Sequence, residues 1–255
     1  MFEATFQSAT FLKRILDAIK ELVGEVNLLC TEDGIDLQAM DTSHVSLINL
    51  TILPDACTTY TCTKPVTLGI NLVTFYKIVR CADADDSIRL SLDSKDSAKM
   101  LIRTESLNGK KVSEFVMNLM DIDSEHLEIP GAEYNCSIKI PSTELTRLVK
   151  DLQTFGDTCS FAVKDEQLTL EVKGDLSSAA MIVKNDKTSK LVTEIECGAP
   201  TTLLLALKYI STFTKAQSLS EYVTIYMSEG IPVNLIYDMG DRGSLGYYLA
   251  PKMDE

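Results

Sequence analysis

Side chains that could do chemistry are sparse in this 255-residue chain. It holds two histidines, His44 and His126, and neither stands beside a nucleophile motif. No G-x-S-x-G, G-x-x-x-x-G-K or G-x-G-x-x-G occurs. Asp83, Asp85 and Asp86 cluster, but a calcium loop opening at Asp83 needs Gly at 88 and Glu at 94, where Ile88 and Ser94 stand. Asp121, Asp123 and Glu125 fail the same test, because His126 holds the glycine position. Both clusters read as solvated turns. The seven cysteines (30, 57, 62, 81, 136, 159 and 197) are an odd, scattered set with no C-x-x-C pair and no histidine at ligand spacing. Free thiols in a reducing compartment, mostly filling the core, are expected. The expectation is therefore no enzymatic activity, no metal and no cofactor.

The cations carry more information. Net charge is −13, from 24 Lys and Arg against 37 Asp and Glu, which by itself argues against a polyanionic partner. Their placement reverses that inference. Helical periodicity is confined to roughly 8–23, 71–82, 142–155 and 203–216, and these windows hold nine basic residues against four acidic ones. The nine are Lys13, Arg14, Lys20, Lys77, Arg80, Arg147, Lys150, Lys208 and Lys215. Outside the windows the balance is 15 basic against 33 acidic. Within each helix the cations recur at spacings of three or seven, which stack side chains on one face. One basic surface facing a polyanion, with acidic sheets turned to solvent, accounts for this; ordinary solvated helix faces are the plain alternative.

The elements that must position these cations are mostly strands. Short alternating runs rich in Val, Ile, Thr and Tyr recur at 45–53, 88–92, 115–119, 134–140, 168–172, 222–227 and 233–237. Phe11, Leu12, Ile15, Leu16, Ile19, Leu22 and Val23 share one face of the first helix. Leu145, Leu148, Val149, Leu152 and Phe155 do so in the third, with Ser142 placed to cap it after Pro141. The order helix, strands, helix, strands occupies the first 118 residues and returns from 135 to 255, with 119–134 as connector. Two similar α+β domains are the simplest account. The longest aliphatic run, Leu203–Leu207, is too short for a membrane span, and Met1-Phe2-Glu3-Ala4 lacks a signal-peptide layout. A soluble intracellular protein is expected.

Met1-Phe2-Glu3-Ala4, the run Leu37-Gln38-Ala39-Met40-Asp41-Thr42-Ser43-His44-Val45-Ser46-Leu47, the connector Leu119-Met120-Asp121-Ile122-Asp123 and the ending Tyr247-Tyr248-Leu249-Ala250-Pro251-Lys252 together carry a resemblance. Along essentially its full length the chain resembles the eukaryotic DNA sliding clamps, the proliferating cell nuclear antigen family. The resemblance implies a homotrimeric ring of two-domain subunits threaded on duplex DNA, helices inside and antiparallel sheets outside, nuclear and without catalytic activity. Packing arithmetic agrees with three chains. Twelve helices spaced about 9.5 Å apart enclose a hole roughly 25 Å clear, whereas eight leave about 13 Å, too tight for a duplex.

By resemblance, Lys111–Met117 and Leu176–Val183 are the subunit edges, with Val112, Phe115, Met117, Ser178 and Ala180 at the interface. The same resemblance implies a pocket for a partner peptide carrying a Gln and two aromatics. It comprises Met40, His44, Val45 and Leu47, then Leu127, Ile129 and Pro130 of the connector, Pro232, and Tyr248, Leu249, Ala250 and Pro251. The partners implied are DNA polymerase, the clamp loader, flap endonuclease and DNA ligase, with sequence-independent duplex DNA and no membrane. Lys164 matches the position that family members modify with ubiquitin-like proteins. Two departures bear on this: Glu128 stands where the family commonly has Gly before Ile-Pro, and Asp165 is followed by Glu166 instead of the usual Gly. Without the resemblance, an acidic two-domain adaptor that binds peptides and never meets DNA fits the same residues.

Overall fold

The structure is a computed structural model and describes residues 1–92, 96–123, 133–186 and 193–253. The chain falls into two compact units: Met1–Thr42, Ile48–Leu127 and Met239–Leu245 form one, and Ser43–Leu47, Glu128–Asp238 and Gly246–Glu255 the other. The expected cuts at 118 and 135 do not anticipate the one short segment that each unit draws from the other half of the chain, Met239–Leu245 in the first and Ser43–Leu47 in the second.

In the first half the order is β1 (Phe2–Phe6), α1 (Ala9–Ile19), β2 (Glu25–Thr31), β3 (Gly34–Met40), β4 (Ser46–Ile52), β5 (Thr59–Cys62), β6 (Val66–Asn71), α2 (Leu72–Arg80), β7 (Ser87–Leu92), β8 (Lys99–Glu105) and β9 (Val112–Asn118). The second half repeats it: β10 (Cys136–Pro141), α3 (Ser142–Leu152), β11 (Thr158–Lys164), β12 (Gln167–Lys173), β13 (Ser178–Lys184), β14 (Glu194–Cys197), β15 (Thr201–Ala206), α4 (Leu207–Phe213), β16 (Tyr222–Met227), β17 (Val233–Asp238) and β18 (Gly243–Leu249). The strand orders repeat as well. In the first unit β5-β1-β7-β8-β9 forms one sheet and β3-β2-β6 run side by side in another. In the second, β14-β10-β16-β17 answer the former and β13-β12-β11-β15 the latter. The duplication expected from element order is therefore a duplication of topology.

Each unit buries one face of its sheets under its own two helices, the solution that an amphipathic helix on a half-apolar sheet demands. In the first, Leu12, Ile15, Leu16 and Ile19 of α1 and Leu72 and Phe75 of α2 meet Leu28, Ile35, Leu37, Leu50 and Ile70 around a small, wholly apolar cavity. In the second, Leu145, Leu148, Val149 and Leu152 of α3 and Leu207, Ile210 and Phe213 of α4 are buried. The Phe213 ring stacks on Tyr247 at 4.4 Å between centroids. Ser8 and Asn71 start α1 and α2, accepting from Thr10 N–H (3.2 Å) and Thr74 N–H (3.0 Å).

Three local expectations need correction. Ser142 does not cap α3: it is the first helical residue, and its hydroxyl is buried without a hydrogen-bond partner. Phe155 lies beyond the end of α3 and is 36% exposed. Residues 203–206 are not helical but belong to β15, where Leu203 and Leu205 alternate inward and pair with Phe161 and Cys159 of β11. An uninterrupted aliphatic run satisfies both the helical and the strand period, and the open side of β11 decides it.

Candidate nucleic-acid interface and partner surface

The four helices and the turns that end α1 and α4 place the nine cations towards solvent, with different degrees of commitment. Arg14, Lys77, Arg80, Arg147, Lys150, Lys208 and Lys215 are exposed, while Lys13 and Lys20 are half-buried. The periodicity forces this, because the i+3 and i+4 neighbours of the buried positions are the apolar ones and the cations take what remains. Lys13 Nζ donates to Ala82 O at 2.6 Å, tying α1 to the turn that ends α2. Lys20 pairs with Asp17 and holds its Nζ 3.8 Å from the centre of the Tyr76 ring, with the Arg80 guanidinium 5.6 Å from the same ring. The tyrosine thus brings one cation of α1 and one of α2 together by cation–π attraction. Burial pushes the Asp17 carboxyl up, but the Lys20 and Tyr76 hydrogen bonds and the Lys20 and Arg80 charges outweigh it and hold the group below its ordinary value.

In the second unit Arg147 bonds Glu144 at 2.6 Å and comes within 4.0 Å of Asp151, a local network on the outer face of α3. Lys208 Nζ lies 4.8 Å from the centre of the adjacent Tyr209 ring. Lys215 sits on the 3₁₀ turn Thr214–Ser218 that follows α4, not on the helix itself. The sequence reading missed Tyr76, although its spacing of four from Arg80 on one helix was a visible signal.

Both expected subunit edges are sheet edges. β9 ends the order β5-β1-β7-β8-β9, and β13 ends β13-β12-β11-β15. Strand alternation sorts their side chains. Val112 and Val116 are 43% and 60% exposed on β9, and Ile182 is 58% exposed on β13, in line with the exposed Ser178 and Ala180. Phe115 is half-buried. Met117 differs from the expectation of a side-chain contact: it shares Phe115's inward parity, lies opposite Met100 of β8 and is buried in its own chain, which leaves its backbone at the edge.

Most of the described residues expected to line the peptide pocket belong to the second unit. Ser46 is buried while Val45 and Leu47 stand half-exposed on the other face of the strand. Ala250 N–H donates to Val45 O at 3.0 Å, which lays the segment Ala250-Pro251 beside them. Ala250 and Pro232 are exposed, Tyr248 and Pro251 half-buried, and His44 exposed at a left-handed φ of 53°. Leu249 is a second correction: it alternates inward and is fully buried. Met40, half-buried, lies on β3 in the other unit. Leu127, Ile129 and Pro130, and with them Glu128 and His126, lie outside the described residues. Tyr134 was not foreseen. Its hydroxyl donates to Pro232 O at 3.2 Å, its ring is 5.7 Å from that of Tyr226, and burial pushes its phenol up to about 12, with Tyr248 adding to the shift.

Lys164 is exposed at the end of β11, paired across the ladder with Gln167. The two-residue turn between them, Asp165-Glu166, has both residues left-handed, at φ 50° and 58°. The turn keeps the geometry a glycine would favour without the glycine.

Among the described residues no group of His, Cys, Asp or Glu is arranged to hold a metal ion. The model of the proliferating cell nuclear antigen N-terminal domain matches residues 1–126 and that of the C-terminal domain matches 128–252. The proliferating cell nuclear antigen of Dictyostelium discoideum is 40% identical over the whole of both chains. This family consists of non-enzymatic clamps, so the adaptor reading is not favoured. The repeated topology, the cationic helices and the two open sheet edges agree with these matches, and the chain belongs to the proliferating cell nuclear antigen family, the DNA sliding clamps.

Proposed function

We propose that three copies close head to tail through β9 of one and β13 of the next, and that Lys13, Arg14, Lys20, Lys77, Arg80, Arg147, Lys150, Lys208 and Lys215 face the enclosed duplex. The observation that carries this is that β9 and β13 are each the last strand of a sheet. In the internal repeat β9 corresponds to β18 and β13 to β4, and β18 and β4 are neighbours in one sheet, so β9 and β13 are terminal strands of the same two kinds as a pair that the chain already joins. A heterologous contact of this sort makes a ring when its rotation closes. Enclosure then supplies retention, and water-mediated cation–phosphate contacts that read no base leave the ring free to slide.

The outer face serves partners. Val45, Leu47, Pro232, Tyr248, Ala250 and Pro251, with Met40, His44, Tyr134 and the connector residues Leu127, Ile129 and Pro130, take the Gln-plus-aromatics peptide of polymerase, flap endonuclease, ligase and clamp loader. Apolar anchors beside an extended segment suit such a ligand. Residues 1–118 and 135–255 act as the two clamp domains with 119–134 between them, Lys164 is a modification site, and the protein works in the nucleus. Capture on closed circular DNA tests the ring: loaded protein is expected to stay bound in high salt until one cut linearises the circle. Release that ignores the cut would contradict enclosure.

A further inference from the structure

The connector leaves β9 by a route that the sequence does not announce. Leu119 N–H donates to Ala98 O at 2.8 Å, and Met120 N–H donates to Gly69 O at 2.8 Å, forming an isolated antiparallel bridge on β6. Directly across the ladder from Gly69 is Asn27 of β2, whose Nδ2 donates to Ile122 O at 2.8 Å. Gly69 is buried at an ordinary φ, so no turn requires a glycine there. Close approach requires it: a Cβ on Gly69 would overlap the Met120 carbonyl oxygen and crowd Asn27 Oδ1 at 3.2 Å.

We propose that Asn27 and Gly69 are positioning residues of the partner-binding segment: this cross-strand pair clamps Leu119–Ile122 on β6 and gives the connector a fixed root. The inference rests on the reading of the connector as a peptide site. A segment rooted at Ile122 has fewer conformations to lose when a peptide lies along it, so binding costs less than for a strand free from Asn118 onward. Neither residue touches the peptide in this account. Each acts through the backbone it holds.

The test uses the full-length trimer, a fluorescein-labelled synthetic peptide carrying a Gln and two aromatics, and amide hydrogen exchange at Met120. Asn27→Asp keeps the side-chain shape and removes the donor, while Gly69→Ala removes the space. Both are expected to weaken the peptide about tenfold and to speed exchange at Met120 by a similar factor, with trimer mass unchanged. The Asp variant guards against the Ala variant failing to fold. Wild-type affinity in a trimeric Asn27→Asp variant, with Met120 still protected, would overturn the proposal alone. Failure of the wild-type trimer to bind the peptide would overturn the peptide reading and the proposal with it.

Discussion

Glu166 is a residue whose cost can be read from its backbone. It sits at φ 58° next to Asp165 at 50°, and its carboxylate accepts from Asn185 Nδ2 at 2.9 Å. Left-handed backbone is tolerated by Asp more readily than by Glu and costs glycine little. Glu166→Gly is expected to raise stability by about 1 kcal/mol despite the lost exposed hydrogen bond, read as a higher urea midpoint at unchanged slope. A lower midpoint would mean that the Asn185 contact outweighs the strain. Burial likewise pushes the Cys30, Cys57 and Cys159 thiols up to about 12. The unfolded thiols ionise near pH 8.5, so the unfolded state loses these protons first and stability falls as pH rises from about 8.5 towards 12. Lys20, raised in the fold by its Asp17 and Tyr76 hydrogen bonds against the opposing effect of burial, drives stability the same way at alkaline pH. A Cys30→Ala, Cys159→Ala variant should show a shallower alkaline decline than the parent, and an equally steep one would assign the decline elsewhere.

At the scale of elements, the outward residues of β9 and β13 carry the account. Val116→Glu or Ile182→Glu places a charge on an open edge without touching the core, since both side chains are more than half exposed. Each variant is expected to stay folded by circular dichroism yet run as a single chain in gel filtration, and a trimer from both would remove these edges from the interface. How far the elements were legible depends on which signal each one left. Seven strand runs and the first three helices were readable because period-2 and period-3.6 burial differ wherever polar residues mark the turns, whereas strands such as Phe2–Phe6, Glu25–Thr31 and Lys99–Glu105 were not singled out. Leu203–Leu207 was not, because five aliphatic residues in a row mark no period. Met117 and Leu249 were assigned to surfaces by resemblance, while strand parity turned them inward, an alternation the sequence does hold. The Lys20–Tyr76–Arg80 cluster and the Asn27–Gly69 root were the least legible parts of the site. Both arise where two elements meet in space; the Tyr76–Arg80 spacing is local, but the approach of Lys20 to Tyr76 and the contact of Asn27 and Gly69 with the connector leave no local pattern.

For the whole molecule, the contrast between an acidic chain and its cationic helices underlies the behaviour proposed on DNA. Nine cations per chain become 27 per trimer, so one substitution removes three charges at once. Lys150→Ala is expected to flatten the dependence of log affinity on log salt for linear duplex by up to about 2.7. An unchanged slope would take Lys150 out of the DNA-facing set. Everything at this scale presupposes closure, because isolated helices with two or three cations each have nothing to encircle. Mass by multi-angle light scattering, at low micromolar and again at nanomolar concentration, tests it most directly. The account predicts three times the 28.2 kDa chain mass at both concentrations. A single-chain mass at both would contradict the closed ring.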